Sequence, residues 1–291
     1  MPNTPTSAEM GGEVAPRRHW RIRSFSMRGS RLGRDKEKLF AEHSELLLRM
    51  VPGPLETTVD PAAPCNISEQ FGREAPLVVE IGPGSGEQGI GYAMRNPQVN
   101  VLLVEAWEPG AARCIATAVR EKVSNVRILC ADAAQALPVL FGLEAAGIDD
   151  SEAIIRCADR INPDHPNASN PRAAEVWTFF PDPWRKKRHH KRRLVAPLFA
   201  GIAAGMLEDE GVWRMATDWD NYAWQMRDVV EESEFFTNPH RGENPDPNDP
   251  EPERGGFAPR WDKRVLTRFE QRGIDAGRTV HDVVAQRRNR A

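Results

Sequence analysis

The chain has 291 residues, 40% of them hydrophobic and 28% charged, and its 39 basic and 42 acidic side chains give a formal net charge of -3. These values fit an ordinary soluble globular protein of one large domain or two small ones, and the near-balanced total does not by itself point to a nucleic-acid partner. No apolar stretch approaches a membrane span, and the opening MPNTPTSAEMGGEVAP lacks the apolar segment of a signal peptide.

The distribution of charge is more informative. Residues 1–19 read as a disordered tail, and residues 20–54 as a basic arm with an N-terminal helix. Arg17, Arg18, Arg21, Arg23, Arg28, Arg31, Arg34 and Lys36 are opposed only by Asp35, so a localised basic face is expected. Apolar residues at helical spacing over Asp35–Met50 predict a helix, stopped by Val51-Pro52-Gly53-Pro54. Cys65, Cys114, Cys130 and Cys157 show no CxxC pair and no metal-ligand spacing, which predicts reduced thiols, no metal and a cytoplasmic address.

From Leu77 onward strands and helices alternate. Leu77–Ile81, Val101–Val104, Val126–Cys130, Glu175–Phe180 and Gly211–Ala216 read as buried strands. The intervening segments 87–94, 109–123, 133–141, 194–207 and 221–234 read as helices. Polar residues 142–174 read as a surface insertion, and the acidic, Pro-rich 238–254 as a linker or mobile loop. The tail 264–284 is too short to fold alone and must return to the sheet. The expected architecture is α/β: one Rossmann-like, doubly wound, mostly parallel sheet with helices on both faces, over residues 55–291.

Between the first strand and its helix lies Val79-Glu80-Ile81-Gly82-Pro83-Gly84-Ser85-Gly86. Glycines there allow a ligand close to the backbone and to the free N–H groups of a helix start. A dinucleotide fingerprint would need Gly where Glu87 stands, so a nicotinamide cofactor is disfavoured. Gly82, Gly84 and Gly86, with Glu80 inside the strand, suit S-adenosylmethionine better. Glu105, directly after the second strand, can accept from a ribose diol, and Asp132, after the third, from an adenine amino group. Glu80 can organise the loop or meet the methionyl ammonium. Each carboxylate alone reads equally well as a solvated strand end; the three together around one glycine loop point to a cofactor site.

The fourth strand ends in FFPDPWRKKRHHKRR. Pro181 and Pro183 stiffen the backbone around Asp182, Trp184 offers a face for a base, and nine basic-type residues follow. Such a rigid polar corner at the carboxyl end of a strand suits methyl transfer to a planar nitrogen, where positioning supplies most of the catalysis. Read as the start of the next helix, the run opposes the helix dipole, which points to phosphate binding.

Together EIGPGSG, FFPDPWRKKRHHKRR, MATDW and TRFEQRG resemble the bacterial tRNA (guanine-N7-)-methyltransferase, from about residue 23 to about residue 284. The resemblance implies a class I S-adenosylmethionine-dependent methyltransferase fold and methylation of N7 of the variable-loop guanine in tRNA. It puts cofactor contacts on Glu80, Glu105, Asp132 and Asp182, with Asp182 also catalytic. It puts substrate contacts on Lys186, Asp218, Thr267, Arg268, Phe269 and Glu270, and RNA contacts on Arg188, His189, His190, Lys191, Arg192 and Arg193. Glu270 or Asp218 would read the donors on the guanine edge. The family pattern has Arg-Pro ahead of its TxFE motif, whereas Val265 follows Arg264 here. A monomer is expected, with tRNA as partner and no membrane contact. The alternatives are an inactive RNA-binding protein and a methyltransferase of the same fold acting on another RNA or on a small-molecule nitrogen.

Overall fold

The computed structural model describes residues 23–26, 34–148 and 150–290, apart from the side chains at 34–36, 151, 154 and 155. The tail 1–19 and the arm residues Arg28 and Arg31 lie outside the described residues. Among the described residues a sheet of seven strands runs β3 (Val126–Leu129), β2 (Asn100–Val104), β1 (Leu77–Ile81), β4 (Ala173–Phe179), β5 (Leu207–Thr217), β7 (His281–Arg287) and β6 (Phe236–Thr237). The pairings from β3 through β5 are parallel, and β7 runs antiparallel to both β5 and β6. The order reverses between β1 and β4, so a crevice opens at the carboxyl ends of those strands.

Parallel strands are covered on both faces, which is why LVVEI and NVLLV are buried along their whole length and are apolar but for Glu80 and Asn100. Leu77, Val79 and Ile81 of β1 enter one core with Leu102 and Val104. Val78 enters the other with Val101 and Leu103. Each fully buried Val or Leu of this kind contributes roughly 1.5–3 kcal/mol. Glu80 shares the second face, so its carboxyl is carried inward by the register of the strand.

Helices α3 (Glu87–Arg95), α4 (Glu108–Arg120), α5 (Ala133–Leu140) and α8 (Asp220–Glu231) begin within a few residues of a strand's carboxyl end. Helix α1 (Arg34–Glu42) is shorter than the periodicity of 35–50 predicts. A 3-10 turn follows at Ser44–Leu46, and the Leu48 N–H then donates to the Ile128 carbonyl at 2.9 Å, drawing the chain along the outer edge of β3.

Two segments read as surface are partly core. Within 142–174 the chain forms α6 (Ser151–Cys157) and buries Leu143, Ala145 and Ala158. Asn167 and Asn170 are also buried, and they bridge the backbones of Cys65 and of Ile67, the first residue of the short helix α2 (Ile67–Phe71), to those of Val139 and Leu140. Nor is 238–254 a linker. Asp246 accepts from Trp224 Nε1 at 2.9 Å and lies 3.2 Å from His281 Nε2, while buried Asp249 pairs with buried Arg227, so the loop is fastened to α8 and β7. The tail returns to the sheet as expected, through α9 (Arg268–Asp275) and β7. No helix among the described residues is long and apolar enough to cross a membrane.

Candidate active site

Where the chain leaves β1, Gly82, Gly84 and Gly86 take φ of +69°, +61° and +78°, which other residues adopt only with strain. The loop they form separates a cavity of about 210 Å³ from an open cleft of about 700 Å³. Phe180 lines both. Gly82, Glu105, Asp132 and Asp182 line the cavity, so four residues named from the sequence are brought together there. Glu80, Gly84, Thr267, Arg268 and Phe269 line the cleft.

Glu105 accepts from the Trp107 N–H at 2.9 Å. A Cβ on Gly110 would stand 2.9 Å from its Cδ, so glycine in the first turn of α4 makes room for this carboxyl. Burial raises the Glu105 pKa, against the Trp107 and Gly84 N–H groups and Arg113. Asp132 caps α5, accepting from the Ala134 N–H at 3.0 Å.

Glu80 is 3% exposed, and burial pushes its carboxyl up to about 8, helped by Glu105 and opposed by the Gly89 N–H. A Cβ on Gly89 would come within 2.5 Å of Glu80 Oε2, so a second glycine lets a helix pass over a carboxylate. Glu80 Oε2 is buried without a hydrogen-bond partner. Between the ordinary value of 4.5 and about 8, the folded state holds a proton that the unfolded chain has released. Stability therefore falls as pH rises through that window, by up to roughly 1.4 kcal/mol per pH unit. The Tm advantage of Glu80→Gln over wild type should widen from pH 5 to pH 8; a constant difference would contradict this placement of the proton.

The Pro-Asp-Pro-Trp corner is held at both ends by unusual backbone: Phe180 has φ +52° and Trp184 φ +45°. Residues of the N-terminal arm cross it. The Ser26 N–H donates to Asp182 Oδ2 at 3.0 Å, and Trp184 Nε1 donates to the Ser24 carbonyl at 2.9 Å. Ser24, Phe25 and Ser26 thereby form one wall of the cavity. Sequence reasoning read this arm as a localised basic face and did not connect it with the cofactor side.

The basic run does not begin a helix. It folds into its own 3-10 segment, Lys187–Arg192, and α7 starts later at Pro197 (Pro197–Met206). Arg185, Lys186, Lys187, Arg188, Lys191 and Arg192 are exposed. Arg192 lies 4.9 Å from the Trp184 ring centroid, which covers a face expected to be open to a base. The pKa values of His189 and His190 are lowered by desolvation and by neighbouring cations, Arg188 and Arg193 respectively, so neither imidazole adds charge at neutral pH.

Arg193 departs from its expected role as an RNA contact. It is 4% exposed, donates to the Pro183 carbonyl at 3.0 Å, to the Asn221 carbonyl at 3.1 Å and to Gln225 Oε1 at 2.8 Å, and stacks on Tyr222. The side chain ties the Pro-Asp-Pro-Trp corner to α8. Arg193→Ala should cost roughly 2–4 kcal/mol in denaturant unfolding, because several part-buried acceptors lose their donor together and buried Tyr222 loses its stacking partner. Weaker tRNA binding at unchanged stability would contradict the structural role.

Two carboxylates expected on the guanine edge are already engaged. Glu270 is 1% exposed and accepts from Arg260 at 2.9 and 3.1 Å and from Arg264 at 2.9 Å. Those guanidinium donors hold its pKa down against burial. Asp218 accepts from Arg278 Nε at 2.7 Å and packs beneath Gly273. Both position α9 rather than face the cavity. Thr267 caps that helix, and Phe269 packs on Phe180 at 5.5 Å. Val265 uses the N–H that a proline would lack: it donates to Gln88 Oε1 at 2.6 Å, linking the tail to the first turn of α3.

The donor set fits S-adenosylmethionine. Glu105 and Asp132 stand at adjacent strand ends around one cavity, and the unpartnered Glu80 oxygen lies across the glycine loop from them. Among the described residues no three His, Cys, Asp or Glu side chains are grouped so as to hold a metal ion.

A family model described as "Putative methyltransferase" matches residues 74–145 and 167–283, leaving out part of the 142–174 segment. The tRNA (guanine-N(7)-)-methyltransferase of Paenarthrobacter aurescens (strain TC1) is 34% identical over 301 residues, covering 91% of either chain. The protein of that name from Nocardioides sp. (strain ATCC BAA-499 / JS614) is 35% identical over 275 residues, covering 94% of this chain and 91% of its own. With its mostly parallel seven-stranded sheet and glycine loop, the fold is the Rossmann-like one of class I S-adenosylmethionine-dependent methyltransferases, and the chain belongs to the tRNA (guanine-N(7)-)-methyltransferase family.

Proposed function

We propose that this chain methylates N7 of the variable-loop guanine of tRNA, with Asp182 at the reacting nitrogen. The observation that carries the reading is the placement of Asp182: it shares one cavity with Glu105 and Asp132 and directly precedes the exposed cations of 185–192. When bound, S-adenosylmethionine supplies a methyl group activated by its sulfonium. Glu105 and Asp132 hold the ribose and adenine, and the backbone of Gly82–Gly86 and Glu80 orient the methionyl end.

Guanine N7 carries a lone pair and no proton, so the chain needs no general base. Methylation leaves the imidazole ring cationic. The fixed Asp182 carboxylate stabilises that charge as it develops, at a site already organised before the reaction. Lys186, Thr267, Arg268 and Phe269 hold the substrate nucleotide, and the exposed cations from Lys187 to Arg192 hold its phosphates. Action as a monomer in the cytoplasm belongs to the same reading. The monomer is supported by residues 24–26 and Leu194, which line the cavity together with Asp182 of the same chain.

The experiment is labelled-methyl transfer to an unmodified tRNA and to the same tRNA with adenine at the variable-loop guanine. Incorporation into the first and background into the second is the expected result. Equal incorporation into both would overturn the assignment of the target base.

A further inference from the structure

The open cleft beside the glycine loop is larger than the cavity; two of its arginines, Arg120 and Arg272, have no part in the chemistry above, and a third, Arg113, enters it only as a cation near Glu105. Two helices face each other across it. On α4, Arg113 and Arg120 are both exposed and seven residues apart, two turns along one face, about 10 Å by helical rise. On α9, Arg268 and Arg272 are exposed one turn apart, about 6 Å. Glu87 and Glu80 are the acidic residues of the lining, and Glu80 is buried at the floor. Arg113 lies over the ring of Trp107, a residue of the cavity wall, and Arg120 pairs with Glu121 at 2.8 Å; buried Arg264 is paired with Glu270 and Asp282.

We infer that this cleft is a second phosphate track for RNA, in which Arg113 and Arg120 of α4 face Arg268 and Arg272 of α9 along the strand that leaves the target nucleotide. The inference rests on the tRNA-methylating reading and extends it to the side of the site away from the basic run. Two observations favour an RNA strand over a small anion. The cations are spread along both walls rather than converging on one point, and the cleft meets the cofactor cavity at Phe180, the residue just before Pro181-Asp182. A nucleotide seated at that junction sends its backbone in two directions, one over 185–192 and the other between α4 and α9. Phe269, 52% exposed beside Phe180 and assigned above to the substrate nucleotide, marks the inner end of this track.

The test is tRNA binding across a salt series for the full chain, comparing wild type, Arg120→Ala/Arg272→Ala, Arg120→Lys/Arg272→Lys and a basic-run variant, Lys187→Ala/Arg188→Ala/Lys191→Ala. The cleft alanine variant should raise Kd roughly tenfold and flatten the log–log salt slope by about 1.4, at about 0.7 per single-strand phosphate contact. The lysine variant should keep most of the slope, and cofactor affinity should not change. A wild-type slope in the cleft alanine variant, with the basic-run variant flattened, would overturn the inference and leave the tRNA reading intact. No salt-dependent tRNA binding by wild type would overturn both.

Discussion

Asp182→Asn is expected to lower kcat about 10²–10³-fold, the range typical of removing one fixed group that stabilises transition-state charge. The effect should be that large because the carboxylate is held before substrate arrives. Proline on either side fixes the backbone, Phe180 and Trp184 adopt positive φ at the two ends, and the Ser26 N–H orients Oδ2. Asparagine keeps the shape and one acceptor oxygen but loses the charge that opposes a developing cation. KM for tRNA should change little, since the basic run is not touched. Steady-state kinetics on unmodified tRNA checks this. A kcat within threefold of wild type would remove Asp182 from the chemistry and leave it a structural turn.

Lys187→Ala/Arg188→Ala/Lys191→Ala should weaken tRNA binding between tenfold and a hundredfold, on the order of one released counterion per phosphate contact, and reduce the salt slope by about 2. All three side chains are exposed on the 3-10 segment that follows the active-site corner. These side chains do not support the core, so on the proposed reading RNA binding should fall while Tm stays within a degree or two. Arg193 gives the internal contrast. It ends the same run, yet its guanidinium is turned beneath Pro183 and onto Tyr222, so its loss should appear as instability. Equal effects of both variants on the salt slope would contradict this division. The kcat of the triple variant at saturating tRNA should approach that of wild type, because Asp182 is left in place.

The strands were legible because a parallel sheet buries both faces. LVVEI has little choice but to be a central strand, and a glycine loop after it marks the crevice. Glu105 and Asp132 were legible for the same reason: a carboxylate within three residues of the end of a buried strand stands at the mouth of that crevice. Loss of a helical turn after Glu42 was not legible, since the backbone bond from Leu48 to Ile128 joins residues far apart in sequence. The same holds for Glu270 and Asp218. Local pattern shows two acids near a substrate motif; it does not show that Arg260, Arg264 and Arg278 already satisfy them. A run of cations likewise gives no register, and only the fold shows that Arg193 faces inward. Asp246 and Asp249 looked like solvated residues in a Pro-rich loop, but Trp224, His281 and Arg227 draw both into the protein. One overlooked signal was present in the sequence: Gly89 and Gly110, each in the first turn of a helix, leave space for buried Glu80 and half-buried Glu105 respectively.

The most direct test of the whole account is to incubate wild-type protein with S-adenosylmethionine and unmodified tRNA, then map the product by reduction and chain cleavage selective for N7-methylguanine. The expected result is a single cleavage in the variable loop, absent without protein and nearly absent with Asp182→Asn. Methyl incorporation without that cleavage would contradict the assignment of N7 as the reacting atom, and no incorporation at all would contradict the assignment of the chain as a methyltransferase of tRNA.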